Sequence, residues 1–172
     1  MLSLPATVTF PLVARAAGLA VRAGAGAHDR LHLGLLHQGA ERGENTVHIF
    51  SANDITVAHM GDLGHHLTLE QIEEIGPLTV MLIPVGGFYT IDAVGAKSAC
   101  MALRPRCVIP MHYYHPPYGL PNIAQLDPFL KLWSRNSIHR LDGNSLDING
   151  GTIRIAPRYQ TGHSKNVYIP NA

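Results

Sequence analysis

Between residues 55 and 135 the chain repeats one pattern three times, and that repetition limits the folds open to it. Each repeat is an apolar run, a turn rich in glycine or proline, and a stretch with helix signals. The first run, 55–60, has strand character. The second, 78–85, is almost wholly apolar and suits a strand covered on both faces. The third, 107–110, is short and apolar. The first helix is predicted to start after Thr68, with Gln71 completing a capping box and Leu67 stapling to Ile72, and to stop at Gly76-Pro77. The second is predicted over 91–103, capped by Thr90 and ended before Pro105, and the third over 123–135. Strands alternating with helices build a mostly parallel sheet with right-handed crossovers, so the fold class is α/β.

Parallel strands place their carboxyl ends on one edge, and the loops there form the ligand crevice of open α/β sheets. The first strand runs into Gly61-Asp62-Leu63-Gly64, the second into Gly86-Gly87, and the third into Met111-His112. Topology alone therefore brings Asp62 and His112 to one edge. His28, just past an earlier strand, is expected to join them. Carboxylate and neutral imidazole are the usual ligands of zinc and manganese, and glycines on both sides of Asp62 let the turn adopt positive φ. Each residue also has a plainer reading. Asp62 could cap a turn, His28 and His112 could be surface or loop histidines, and His65 and His66 could serve a helix start or face solvent. Gly86-Gly87 is most simply a tight turn. Jointly, a carboxylate and two histidines on one edge favour a metal site. His32 and His37 lie in a polar stretch and receive no role, while His59, His65 and His115 are reserve candidates.

Outside the repeats, strands are predicted over 6–10, 18–24 and 46–51, the last forming a hairpin with 55–60 through Asn53-Asp54. Residues 30–45 read as a loop, and 138–156 as short strands joined by turns. No linker divides the 172 residues, and the three units share a pattern of elements with no repeated sequence, so one domain, 1–172, is expected. The formal net charge of +1 and the lack of a Lys/Arg run argue against a nucleic-acid partner. No stretch approaches the ~20 apolar residues of a membrane span. The apolar N-terminus lacks a basic leader and is broken by Pro5, Pro11, Arg15 and Arg22, so no signal peptide is expected. Cys100 and Cys107 are too few for a disulfide framework and read as buried free thiols. A cytoplasmic protein is expected.

Four motifs, in order and spacing, resemble the metallo-β-lactamase superfamily, most nearly the branch that includes L-ascorbate-6-phosphate lactonase-like proteins. They are Arg42-Gly-Glu-Asn-Thr46, Ile55-Thr-Val-Ala-His-Met-Gly-Asp-Leu-Gly-His65, Leu82-Ile-Pro-Val-Gly-Gly-Phe-Tyr-Thr90 and Val108-Ile-Pro-Met-His-Tyr113. The resemblance covers roughly residues 20–135. It implies an αββα sandwich with a metal site at one edge of the sheets. Asp62 resembles the family's metal-bridging aspartate, His112 the last metal-binding histidine, and His28 the middle one. The family's His-x-His-x-Asp-His motif, which supplies most ligands, does not occur in this sequence. The chain therefore reads as shortened at its N-terminal side relative to the family.

Two functions follow as expectations. The first is a metal-dependent hydrolase that activates water on a Zn or Mn centre, one or two ions, to split a small ester, lactone or phosphoester substrate. The second is a catalytically inactive remnant or interaction module of the same fold with an incomplete metal site. The same shortening predicts an uncovered sheet edge and self-association into a homo-oligomer.

Overall fold

The computed structural model of the chain describes residues 6–9, 20–22, 27–33, 45–52, 55–141, 145–149, 152–154 and 166–169, with side chains at 45–51, 55–141 and 146. Its elements run β1 (Ala6–Thr9), β2 (Ala20–Arg22), β3 (Ala27–Leu33), β4 (Asn45–Ala52), β5 (Ile55–His59), α1 (Leu69–Ile75), β6 (Val80–Pro84), α2 (Ala93–Leu103), β7 (Cys107–Met111), α3 (Asp127–Leu130), a 3-10 turn (Arg135–Ser137), β8 (Ile138–Arg140), β9 (Ser145–Asn149), β10 (Thr152–Arg154) and β11 (Asn166–Ile169).

Seven strands form one sheet in the order β3-β4-β5-β6-β7-β11-β8. From β5 onward neighbouring strands pair in parallel, as the strand–helix alternation demands, and β3, β4 and β5 pair antiparallel. A second, antiparallel sheet has the order β10-β9-β1-β2. The period-2 alternation of β6 explains the layering. Met81 and Ile83 join a buried cluster with Ile75 of α1, Leu103 of α2 and Phe129 of α3. Val80 and Leu82 join another with Val57, Ile109 and Leu146 of β9. A helical layer thus covers one face of the large sheet and the small sheet meets the other. Both faces of β6 are buried, so the strand must be apolar throughout.

The first helix forms as its caps dictate. The Thr68 hydroxyl accepts from Gln71 N–H at 3.3 Å, the Gln71 side chain accepts from Thr68 N–H at 2.9 Å, and Gly76 closes the helix at φ 68°. Elsewhere the structure departs from expectation. Helix α2 starts two residues later than predicted, because the Asp92 carboxylate caps Gly95 N–H at 2.8 Å and displaces Thr90 from that role. The third helix is a single turn. Residues before it are drawn into extended pairing, with Ala124 N–H on the Gly86 carbonyl at 2.8 Å and Tyr114 N–H on the Ala124 carbonyl at 2.9 Å. Part of the stretch read as a loop, 30–33, belongs to β3, whose Leu31 and Leu33 alternate with Arg30 and His32 at strand period. His28 accordingly lies inside a strand and not past one. Strand β11, inserted between β7 and β8, had no counterpart in the sequence reading. Residue 10 of the predicted strand 6–10, residues 18, 19, 23 and 24 of the predicted strand 18–24, the turn residues Asn53 and Asp54, and residues 34–44, His37 among them, lie outside the described residues. Among the described residues no helix is long and apolar enough to cross a membrane.

Candidate metal centre

Asp62 sits three residues beyond β5, and His112 directly follows β7, so the parallel sheet delivers both to one edge. Their side chains meet: His112 Nδ1 stands 3.0 Å from Asp62 Oδ1. Both are open to solvent, His112 with 35% and Asp62 with 75% of its side chain exposed.

Three backbone features hold these groups in place. Gly61, at φ 60°, packs so tightly that an added Cβ would run into the Asn45 side-chain oxygen and lie 2.7 Å from the Thr46 carbonyl. Gly86 packs against the His112 carbonyl, which an added Cβ would strike. His112 itself adopts φ 54°, a left-handed conformation that non-glycine residues rarely take. The turn after β6, read from sequence as a tight turn, is thus also the floor beneath the His112 backbone.

His59 ends β5 and faces His48 across the β4–β5 ladder. Its Nδ1 accepts a hydrogen bond from Gly61 N–H at 3.1 Å, which leaves the neutral ring's proton on Nε2. Burial pushes its pKa below the usual histidine value, and the His112 and His48 imidazoles push the same way, while Asp62 pulls against them. The four groups therefore share one electrostatic neighbourhood. His65 is engaged elsewhere, its Nε2 against the Gln71 amide at 3.2–3.3 Å, next to the cap of α1. The exposed His66 ring lies near Gly95 of α2.

His28 is the second residue of β3, in register with Phe50 of β4, which in turn faces Val57 of β5. That places its backbone two positions short of the row made by Arg30, His48 and His59. The β3 histidine level with the start of β4 is His32, opposite Thr46. The side chains of both lie outside the described residues. Sequence reasoning passed over His48 and Asn45. The hairpin register was the signal that could have found them, because a strand paired antiparallel with 55–60 must bring its opening residues beside the end of that strand.

The donor set suits a divalent ion. Ligand atoms ~2.0–2.2 Å from a tetrahedral ion stand roughly 3.3 Å apart, and the Asp62–His112 approach of 3.0 Å is close to that. Among the described residues no group of three His, Cys, Asp or Glu side chains converges, so Asp62 and His112 are two donors where a metal site needs at least three.

Residues 5–112 match the family model described as the beta-lactamase superfamily domain, a match that ends on His112. A metal-dependent hydrolase of Staphylothermus marinus is 35% identical over 74 residues, which cover 43% of this chain and 32% of that protein. One of Pyrococcus furiosus is 37% identical over 86 residues, covering 49% and 37%. The chain thus spans about a third of the length of these curated relatives. A crystal structure from Thermotoga maritima, of a protein proposed to be a Zn-dependent hydrolase, superposes with a TM-score of 0.63 at 34% identity, covering 86% of this chain and 69% of that one. Because the family match covers more than half of this chain, the chain belongs to the metallo-β-lactamase superfamily.

Proposed function

We propose that the chain is the metal-binding portion of a metal-dependent hydrolase acting on a small ester, lactone or phosphoester. The contact between Asp62 and His112 carries this reading, since it joins two metal-ligating side chains across fifty residues at the edge where α/β sheets bind ligands. The names of the relatives, metal-dependent hydrolases, support it. Asp62 and His112 would hold the ion, Zn or Mn, with His28 proposed as a third ligand. When bound, such an ion polarises the scissile bond and makes a water nucleophile available at neutral pH. The chain's own residues prepare the place. Asp62 supplies the negative charge, and His59, kept neutral by burial, adds no competing positive charge. The solvent exposure of Asp62 leaves room for a small-molecule substrate. The burial of both cysteines, Cys100 and Cys107, supports a cytoplasmic setting.

A second reading, an inactive module of the same fold, is favoured by one observation: the described residues bring only two ligands together. Metal content after purification without added metal separates the two. The hydrolase reading expects one tightly bound divalent ion per chain, lost when Asp62→Ala and His112→Ala are combined, and weak turnover of lactones or phosphodiesters. Purified chain that neither retains nor takes up metal would leave the inactive module as the reading.

A further inference from the structure

We propose that Asn45 is a positioning residue for the metal ligand Asp62; this rests on the metal-site reading above. Asn45 opens β4, whose ladder with β5 runs from Ala52–Ile55 to His48–His59. Beyond that last pair the chain parts from β4. Met60 N–H still bonds the Leu82 carbonyl of β6 at 3.0 Å, and the chain then turns at Gly61. The Asn45 amide spans this turn with two bonds of opposite sense. Its Nδ2 donates to the Met60 carbonyl at 3.0 Å, and its Oδ1 accepts from Asp62 N–H at 2.7 Å. Only one orientation of the amide serves both partners, because a carbonyl needs a donor and an N–H an acceptor. One side chain thus replaces the ladder bonds that the departing strand gives up.

Two further facts make this more than a turn ornament. Gly61 is pressed against the same amide oxygen, so the clamp fits only a residue without Cβ. The Asp62 side chain is largely exposed, and its described ion-pair contact is with His112, which comes from another turn. Packing does not fix the carboxylate; its backbone does, and the backbone is fixed by Asn45. Aspartate at 45 would lose the donor, and serine is too short to reach both groups. Residues that orient metal ligands typically change metal affinity by 10–100-fold when removed.

The test compares wild type, Asn45→Ala and Asn45→Asp by amide hydrogen exchange and by Zn2+ titration against a chromophoric chelator. Asn45→Ala is expected to speed exchange at the Asp62 amide at least tenfold, leave the Val57 and Ala58 amides of β5 unchanged, and raise the Zn2+ Kd roughly tenfold or more. Asn45→Asp keeps the side-chain volume and one of the two bonds, so it answers the question if the alanine variant does not fold. Its Asp62 amide should also exchange faster than in wild type. Wild-type exchange at Asp62, or a Zn2+ Kd within twofold of wild type in a folded variant, overturns the proposal. If wild type itself takes up no Zn2+, the metal-site reading fails, and the exchange measurement still decides whether Asn45 clamps the turn.

Discussion

His112 carries a Cβ in a backbone conformation that costs an L residue roughly 1–2 kcal/mol. Such strain is kept where the side chain has a use. Two substitutions separate the ring from the backbone. His112→Ala loses the imidazole and keeps the strain, whereas His112→Gly loses both. The glycine variant should be the more stable of the two by about 1 kcal/mol in chemical denaturation, with Zn2+ binding weakened equally in both. Equal stabilities would mean that the left-handed conformation is not strained. The cysteines make a contrasting residue-scale case. Burial raises the Cys107 thiol well above its ordinary value, and Cys100 is equally enclosed. Neither should react with a thiol reagent at neutral pH until the chain is unfolded, when two should. A thiol held neutral in the folded chain contributes its stability below the ordinary thiol pKa of about 9. That contribution is lost as pH climbs further, because the unfolded chain can then ionise and the folded chain resists.

At the scale of elements, α1 depends on its reciprocal cap. Thr68→Ala should lower stability by about 1 kcal/mol, measured as a shift in denaturation midpoint at constant slope. No measurable shift would show that packing of Ile75 and Leu67 alone holds the helix. This cap was legible in the sequence because it is a local signal, four residues long. Strands β5, β6 and β7 were legible from their apolar runs, and the meeting of Asp62 with His112 from the rule that parallel strands share a carboxyl edge. What the sequence concealed was decided by partners distant along the chain. The single turn of α3 reflects competition from Gly86 and Tyr114 for the backbone of residue 124. Strand β11 is specified by the slot between β7 and β8 more than by its own four residues. Asn45 gave no sign of its two bonds, because they depend on the register of one hairpin.

At the scale of the whole molecule, apolar side chains stand in solvent at several places, among them Leu69, Phe88, Val94, Tyr118 and Leu120. Among the described strands β3 and β8 end the large sheet, each with one side unpaired. Exposed apolar surface and open strand edges both favour association. Sedimentation of the isolated chain should therefore show mass rising with concentration. A constant monomer mass across a hundredfold range would contradict this.

The contact between Asp62 and His112 also orders events in time. It closes a fifty-residue loop that holds α1, β6, α2 and β7. Parallel pairing across such separations forms slowly, because chain entropy must be given up before the distant contacts repay it. An ion that needs both side chains can be captured only after β7 has docked beside β6. On the proposed reading of the site, metal uptake would follow the pairing of β6 with β7, and an ion held there would act as a latch on strands already paired, not as a seed for them.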